Sequence, residues 1–264
     1  MSKVLAVTNQ KGGVGKTTTC VNLAASLAAT KKRVLMIDLD PQGNATMGSG
    51  VDKHGLELSS YELLTGHASA EDTIIKNTPA GYDLIGANGD LTAAEVELLS
   101  HPRREVRLKN ALSSLNDKYD YILIDNPPSL NLLTVNALVA SSGVIVPMQC
   151  EYYALEGISA LMNTIEMIKE RLNPELKIEG ILRTMFDPRT SLGKDVNTHL
   201  IDYFQDLVYR TVIPRNIRLA EAPSHGLPVI KYDKSSRGAV AYLALAGEVI
   251  RRHKKTASKD ALDA

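Results

Sequence analysis

Cysteine is nearly absent from this sequence: Cys20 and Cys150 are the only two among 264 residues. Two cysteines exclude a disulfide scaffold, a CxxC zinc site and a four-cysteine iron–sulfur cluster, and they fit a reducing cytosol. No apolar run approaches the roughly 20 residues needed to cross a bilayer. The chain passes from Lys3 straight into a short strand-like run, without the longer apolar segment of a signal peptide. Net charge is missing too. Thirty Lys+Arg face thirty Asp+Glu, which excludes an overall basic nucleic-acid binder but not a local patch. Internal repeats, low-complexity tracts and Pro/Gly-rich linkers are also absent. What is present, 44% hydrophobic and 23% charged residues, is ordinary for a globular chain able to bury a core without staples. The expectation is a cytoplasmic protein.

Short apolar runs alternate with stretches of helical period. Val4–Val7, Val34–Ile37, Tyr121–Ile124, Val144–Pro147, Ile178–Met185 and Tyr209–Ile213 read as strands. Thr17–Ala29, Leu130–Ala140, Ala154–Arg171, Leu192–Phe204 and Gly238–Arg252 read as helices. Strands that are continuously apolar rather than alternating belong to a parallel sheet buried on both faces. The fold class is therefore α/β, a doubly wound, mostly parallel sheet flanked by helices. Residues 50–118 are more polar and read as helical excursions on the same core. One domain is expected over 1–253, followed by a hydrophilic, frayed tail over 254–264.

The chemistry is concentrated in Lys11-Gly12-Gly13-Val14-Gly15-Lys16-Thr17-Thr18, between the first strand and the first helix. Glycines let backbone N–H groups curl around phosphate oxygens, and the helix N-terminus adds partial positive charge. Lys16 then reaches the β- and γ-phosphates, and the Thr17 hydroxyl is placed to ligate Mg²⁺. The usual loop has glycine where this chain has Gln10, and a second lysine, Lys11, stands at the loop entrance. One nucleotide has no evident need of that cation. Lys11 is either a solvated surface lysine or a group that reaches a partner's phosphates in a dimer.

These residues resemble the deviant Walker A motif of the ParA/MinD group of P-loop ATPases. Asp38–Asn44 is similar to the switch I segment of that group, and Tyr121–Asp125, followed by Pro127-Pro128-Ser129, to its Walker B strand. Val212–Gly226 resembles the late segment of chromosomal ParA/Soj proteins. The likeness covers roughly residues 2–253 and implies a P-loop NTPase fold and an ATPase that uses ATP and Mg²⁺.

Carried over residue by residue, the resemblance makes Asp40 the group that assists hydrolysis, through the attacking water or the magnesium hydration shell. Asp125 would hold magnesium. Met185, Pro214 and Asn216 would meet the adenine, and Gly12 would leave room for two loops to face each other across sandwiched nucleotides. Asn126 departs from the cysteine common at its place in related proteins, which touches hydrolysis rate rather than ATP binding.

The resemblance also implies partners: a homodimer in the ATP state, nonspecific DNA, and a ParB-type protein that stimulates hydrolysis and so resets the chain to monomer. Charge supports the DNA expectation. Residues 1–176 carry 15 Lys+Arg and 20 Asp+Glu, and residues 177–264 carry 15 and 10, either ordinary scatter or a basic face that meets a polyanion. Arg189 and Arg218 match arginines implicated in DNA binding, with Lys194, Arg215, Lys234 and Arg237 nearby in sequence. The tail lacks the broad apolar face of a membrane-targeting helix, so no stable membrane association is expected. Neither cysteine matches a cluster ligand of the nitrogenase iron protein. The reading is a nucleoid-associated partitioning ATPase. The alternative is a nucleotide-dependent switch that regulates replication initiation or positions a protein cargo.

Overall fold

The computed structural model describes residues 2–151 and 154–260. Seven strands form one sheet: β1 (Lys3–Val7), β2 (Val34–Asp38), β3 (Asp83–Ile85), β4 (Tyr121–Asp125), β5 (Gly143–Met148), β6 (Lys177–Phe186) and β7 (Val208–Pro214). Their order is β3-β2-β4-β1-β5-β6-β7, and every strand pairing is parallel. The chain winds outward from β1 in one direction and then in the other. That reversal opens a crevice at the carboxyl ends of the central strands, where such folds bind ligands.

Side chains alternate along each strand and divide between two cores. Leu5, Val7, Val34, Met36, Leu123 and Ile145 face one side, where α1 (Lys16–Ala29) packs. Ala6, Leu35, Ile37, Ile122, Ile124, Val144 and Val146 face the other. There they meet α2 (Leu91–Leu98), α3 (Leu132–Ala140) and α4 (Ala154–Arg171). Farther along this side, α5 (Ser191–Phe204) contributes Leu200. Residues 50–118 do pack as helical turns, burying Leu63, Leu64, Leu91, Leu98, Leu108 and Leu115. They also supply β3, which the sequence reading leaves out because three residues between Gly81 and Gly86 carry no periodicity.

The last helix, α6 (Arg237–Asp260), buries Tyr242, Leu245, Ala246 and Val249 against α1 and the sheet. It continues past Arg252, where the hydrophilic tail was expected to fray: His253 is buried, stacks on Tyr121 and lies 3.1 Å from Glu179, and the lysines and alanine beyond it favour helix. Residues 261–264 of that expected tail lie outside the described residues. No helix among the described residues is long and apolar enough to cross a membrane.

Strand β7 closes one edge of the sheet, and α6 covers it with a carboxylate. Glu248 accepts hydrogen bonds from the backbone N–H of Arg210 and of Thr211, both at 2.9 Å, and from the Thr211 hydroxyl at 2.8 Å. Burial alone would raise its carboxyl, but these donors and Arg252 bring it below the ordinary glutamate value. Its contribution is therefore complete above about pH 4 and fades as pH falls further. Glu248→Ala is expected to cost about 2–3 kcal/mol at neutral pH by leaving edge donors unpaired. Urea unfolding from pH 7 to pH 3 checks this: the gap between wild type and variant should shrink on acidification, and a constant gap contradicts the assignment.

Candidate nucleotide and metal site

The parallel register places Asp38 of β2 beside Asp125 of β4, and Asp125 beside Val7 of β1. Two carboxylates thus end adjacent strands where the phosphate loop begins. Both are fully buried. Asp38 accepts from Thr46 N and Thr46 Oγ1, both at 2.8 Å, and from Asp40 N at 3.1 Å. Burial nonetheless pushes it up to about 6. Asp125 is held well above the usual carboxylate range, by burial first and by Asp38 second. Neither Asp125 oxygen has a hydrogen-bond partner. Such orphaned oxygens are costly unless a cation or proton compensates them.

The loop is shaped by its glycines. Gly13 and Gly15 adopt φ of +73° and +85°, conformations that L side chains rarely accept. Gly15 is also the N-cap of α1 and offers no side-chain cap, so first-turn N–H groups remain available to an anion. Lys16 is 7% exposed, and its ammonium donates to the Lys11 carbonyl at 3.3 Å. Burial lowers its pKa, while Asp125 and Asp40 pull it back up. Lys11 behaves differently. Its Nζ donates to Glu151 Oε2 at 2.5 Å, and both side chains are about half exposed, at 48% and 50%.

Distant strand ends steady the loop backbone. Thr184, on β6, donates to the Val14 carbonyl at 2.8 Å. Gln149, just past β5, donates to the Gly13 carbonyl at 3.1 Å and to Met185 Sδ at 3.1 Å. Asn126 bridges β1 and β4 by donating to the carbonyls of Val7 and Ile124, both at 3.2 Å. Sequence reasoning placed Asp38 in the switch I segment without giving it a role, and missed Gln149, Glu151 and Thr184. Only Asp38 carried a signal, since it ends an apolar run just as Asp125 does.

Thr17, Asp40 and Asp125 offer hard oxygen donors, and the unpartnered Asp125 oxygens suit a small divalent cation. Among the described residues no three His, Cys, Asp or Glu side chains form a metal cage. Mg²⁺ does not need one, because it is usually held by one or two carboxylates plus substrate phosphates and water.

Residues 2–178 match the family described as an AAA domain. The chain is 56% identical to the sporulation initiation inhibitor protein Soj of Bacillus subtilis, over 94% of this chain and 98% of that one. It is 49% identical to the chromosome partitioning protein ParA of Caulobacter vibrioides, over 98% of each. The chain belongs to the ParA/Soj family. Its fold is also that of a Mycobacterium smegmatis structure described as cobyrinic acid a,c-diamide synthase with bound ADP and magnesium. That likeness has a TM-score of 0.84 and 39% identity over 96% of each chain.

With the ParA/Soj frame in place, the three expected adenine contacts can be located one by one. Met185 lies beside the loop: a Cβ on Gly15 would sit 3.8 Å from its methyl carbon. Asn216 carries a buried Oδ1 without a partner, directed toward Gly238 near the start of α6. Pro214 lines a cavity of about 530 Å³ between the end of β7 and α6.

The expected DNA arginines are both engaged. Arg189 is 87% exposed and pairs with Asp187 at 2.6 Å. Arg218 pairs with Glu221 at 2.7 Å and with Asp233 at 3.4 Å. The three carboxylates are only partly exposed, at 26%, 36% and 31%, but surface pairs of this kind still hold weakly enough to exchange for phosphate. No carboxylate lies within 4.0 Å of Arg215, Lys234 or Arg237 among the described residues.

Proposed function

We propose that this chain is a Mg²⁺-dependent ATPase whose ATP-bound dimer binds DNA without sequence preference and drives chromosome or plasmid partitioning. Residues 1–253 act as one ATPase domain, working in the cytoplasm on the nucleoid. The observation that carries the reading is the divergence of two lysines on one loop. Lys16 turns into its own phosphate cradle, while Lys11 lies outside it on a half-exposed carboxylate. A half-exposed cation so placed would serve a second chain's nucleotide on leaving Glu151, as an arginine finger does.

Within one chain, the first-turn N–H groups of α1 and Lys16 would grip the β- and γ-phosphates. Thr17 and Asp125 would hold the magnesium ion, which when bound neutralises charge on the phosphate oxygens. Asp40 would orient the attacking water. Water adds to the γ-phosphorus and ADP leaves, so catalysis reduces to positioning and charge stabilisation. Met185, Pro214 and Asn216 would meet the adenine. Arg189 and Arg218 would trade their carboxylates for DNA phosphates beside the uncompensated Arg215, Lys234 and Arg237. A ParB-type protein would stimulate hydrolysis and return the dimer to monomers.

A second reading draws support from the Bacillus subtilis relative, named for inhibiting sporulation initiation. In it, nucleotide state switches a regulatory contact and hydrolysis is incidental. ATPase stimulation by a ParB-type protein separates the two.

Binding to duplex DNA tests the proposal with ATP, with ADP and without nucleotide, across a salt series. Only the ATP-loaded protein is expected to bind, with affinity falling steeply as salt rises. Equal binding in all three states would overturn the link between dimer and DNA.

A further inference from the structure

We propose that Glu151 is a positioning residue: it holds Lys11 on its own chain and thereby sets the ATP-loaded protein concentration at which two chains combine. The inference rests on reading Lys11 as acting across a dimer.

The two residues are 140 positions apart and meet because β5 lies beside β1, with Val7 in register with Ile145. Asn9 fastens the loop entrance to β5. Its Nδ2 donates to the Pro147 carbonyl at 2.8 Å, and its Oδ1 accepts from Lys11 N at 3.0 Å. The turn after β5 is tight, with Glu151 N donating to the Gln149 carbonyl at 2.9 Å. Gln149 in that turn grips the Gly13 carbonyl. Backbone contacts therefore fix where Lys11 starts, and the Glu151 carboxylate fixes where its ammonium ends.

Charge makes this more than a surface contact. A lysine that reaches a partner's phosphates has to leave Glu151 first. An exposed pair of this kind changes an equilibrium by about two- to fivefold, small enough for ATP to overcome. A symmetric dimer breaks two such pairs, one per chain, so the effect enters squared, at about 4- to 25-fold. The latch thus suppresses pairing at low concentration without blocking it.

The test is the dimer dissociation constant of the full chain, by sedimentation with Mg²⁺ and a slowly hydrolysed ATP analogue. The series is wild type, Glu151→Gln, Glu151→Asp, Glu151→Ala and Lys11→Ala, with melting temperature as the folding control. Glu151→Gln and Glu151→Ala are expected to tighten the dimer by about 4- to 25-fold, and Glu151→Asp to return most of the way to wild type. Unchanged or weaker dimers in Glu151→Gln and Glu151→Ala, with normal melting, overturn the latch. If Lys11→Ala is monomeric while those two match wild type, only the latch fails. If Lys11→Ala dimerises like wild type, the across-dimer reading of Lys11 fails and takes the latch with it.

Discussion

Replacing Asp125 with Asn is expected to raise the melting temperature of the nucleotide-free protein and erase the part of its ATP stabilisation that depends on magnesium. The Asp125 oxygens are buried and unpartnered, and burial together with Asp38 holds the carboxyl well above its ordinary range. The sign follows from linkage. A carboxyl raised in the folded state favours folding while protonated and opposes it once ionised, so its cost grows as pH rises from about 4 toward neutrality. An amide of the same shape carries no charge, and the gain is about 1–3 kcal/mol at neutral pH. In a chain of this size that corresponds to a rise of roughly 2–10 °C. Wild type should recover a comparable amount when nucleotide and magnesium bind, because saturation at a hundred times Kd is worth about 2.7 kcal/mol. Calorimetry with and without Mg²⁺ reads both effects. A variant less stable than wild type, with its magnesium-dependent increment intact, would remove Asp125 from the metal site.

Gly12→Val is expected to keep the fold and ATP affinity while abolishing the dimer. Among the loop glycines Gly12 alone combines open space around a built Cβ, with nothing within 4 Å, and a φ outside the left-handed range that constrains Gly13 and Gly15. Within one chain, therefore, nothing requires glycine at position 12. Its absence of side chain makes sense where a second loop approaches across sandwiched nucleotides. Melting should stay within about 2 °C of wild type, following the small effects of substitutions away from packed features. ATP-dependent dimer and DNA binding should be lost together. A Gly12→Val protein that dimerises normally would place the interface elsewhere.

Much of this site was legible in the sequence because its parts are local. A phosphate loop is a contiguous segment, and Val4–Val7 and Tyr121–Asp125 are apolar runs whose ends mark the sheet edge. The parallel sheet followed from strands with no polar alternation. Strand order did not, since no local pattern says that β1 lies between β4 and β5. That order brings Asp38 against Asp125, Thr184 against Val14 and Glu151 against Lys11. β3 was invisible because three residues are too few for a period, and its pairing with β2 supplies what its sequence lacks. The arginines at 189 and 218 were legible as cations, but the carboxylates that hold them were not. Asp187 and Glu221 are near in sequence, yet only the folded turns show that the charges meet.

In the proposed cycle Lys11 acts across a dimer that ATP assembles. Sedimentation velocity of wild type and Lys11→Ala, each with Mg²⁺ and a slowly hydrolysed ATP analogue, tests it most directly. The account predicts a dimer for wild type, monomer for wild type with ADP, and monomer for Lys11→Ala even when ATP binding is intact. A Lys11→Ala protein that dimerises as wild type does would contradict it.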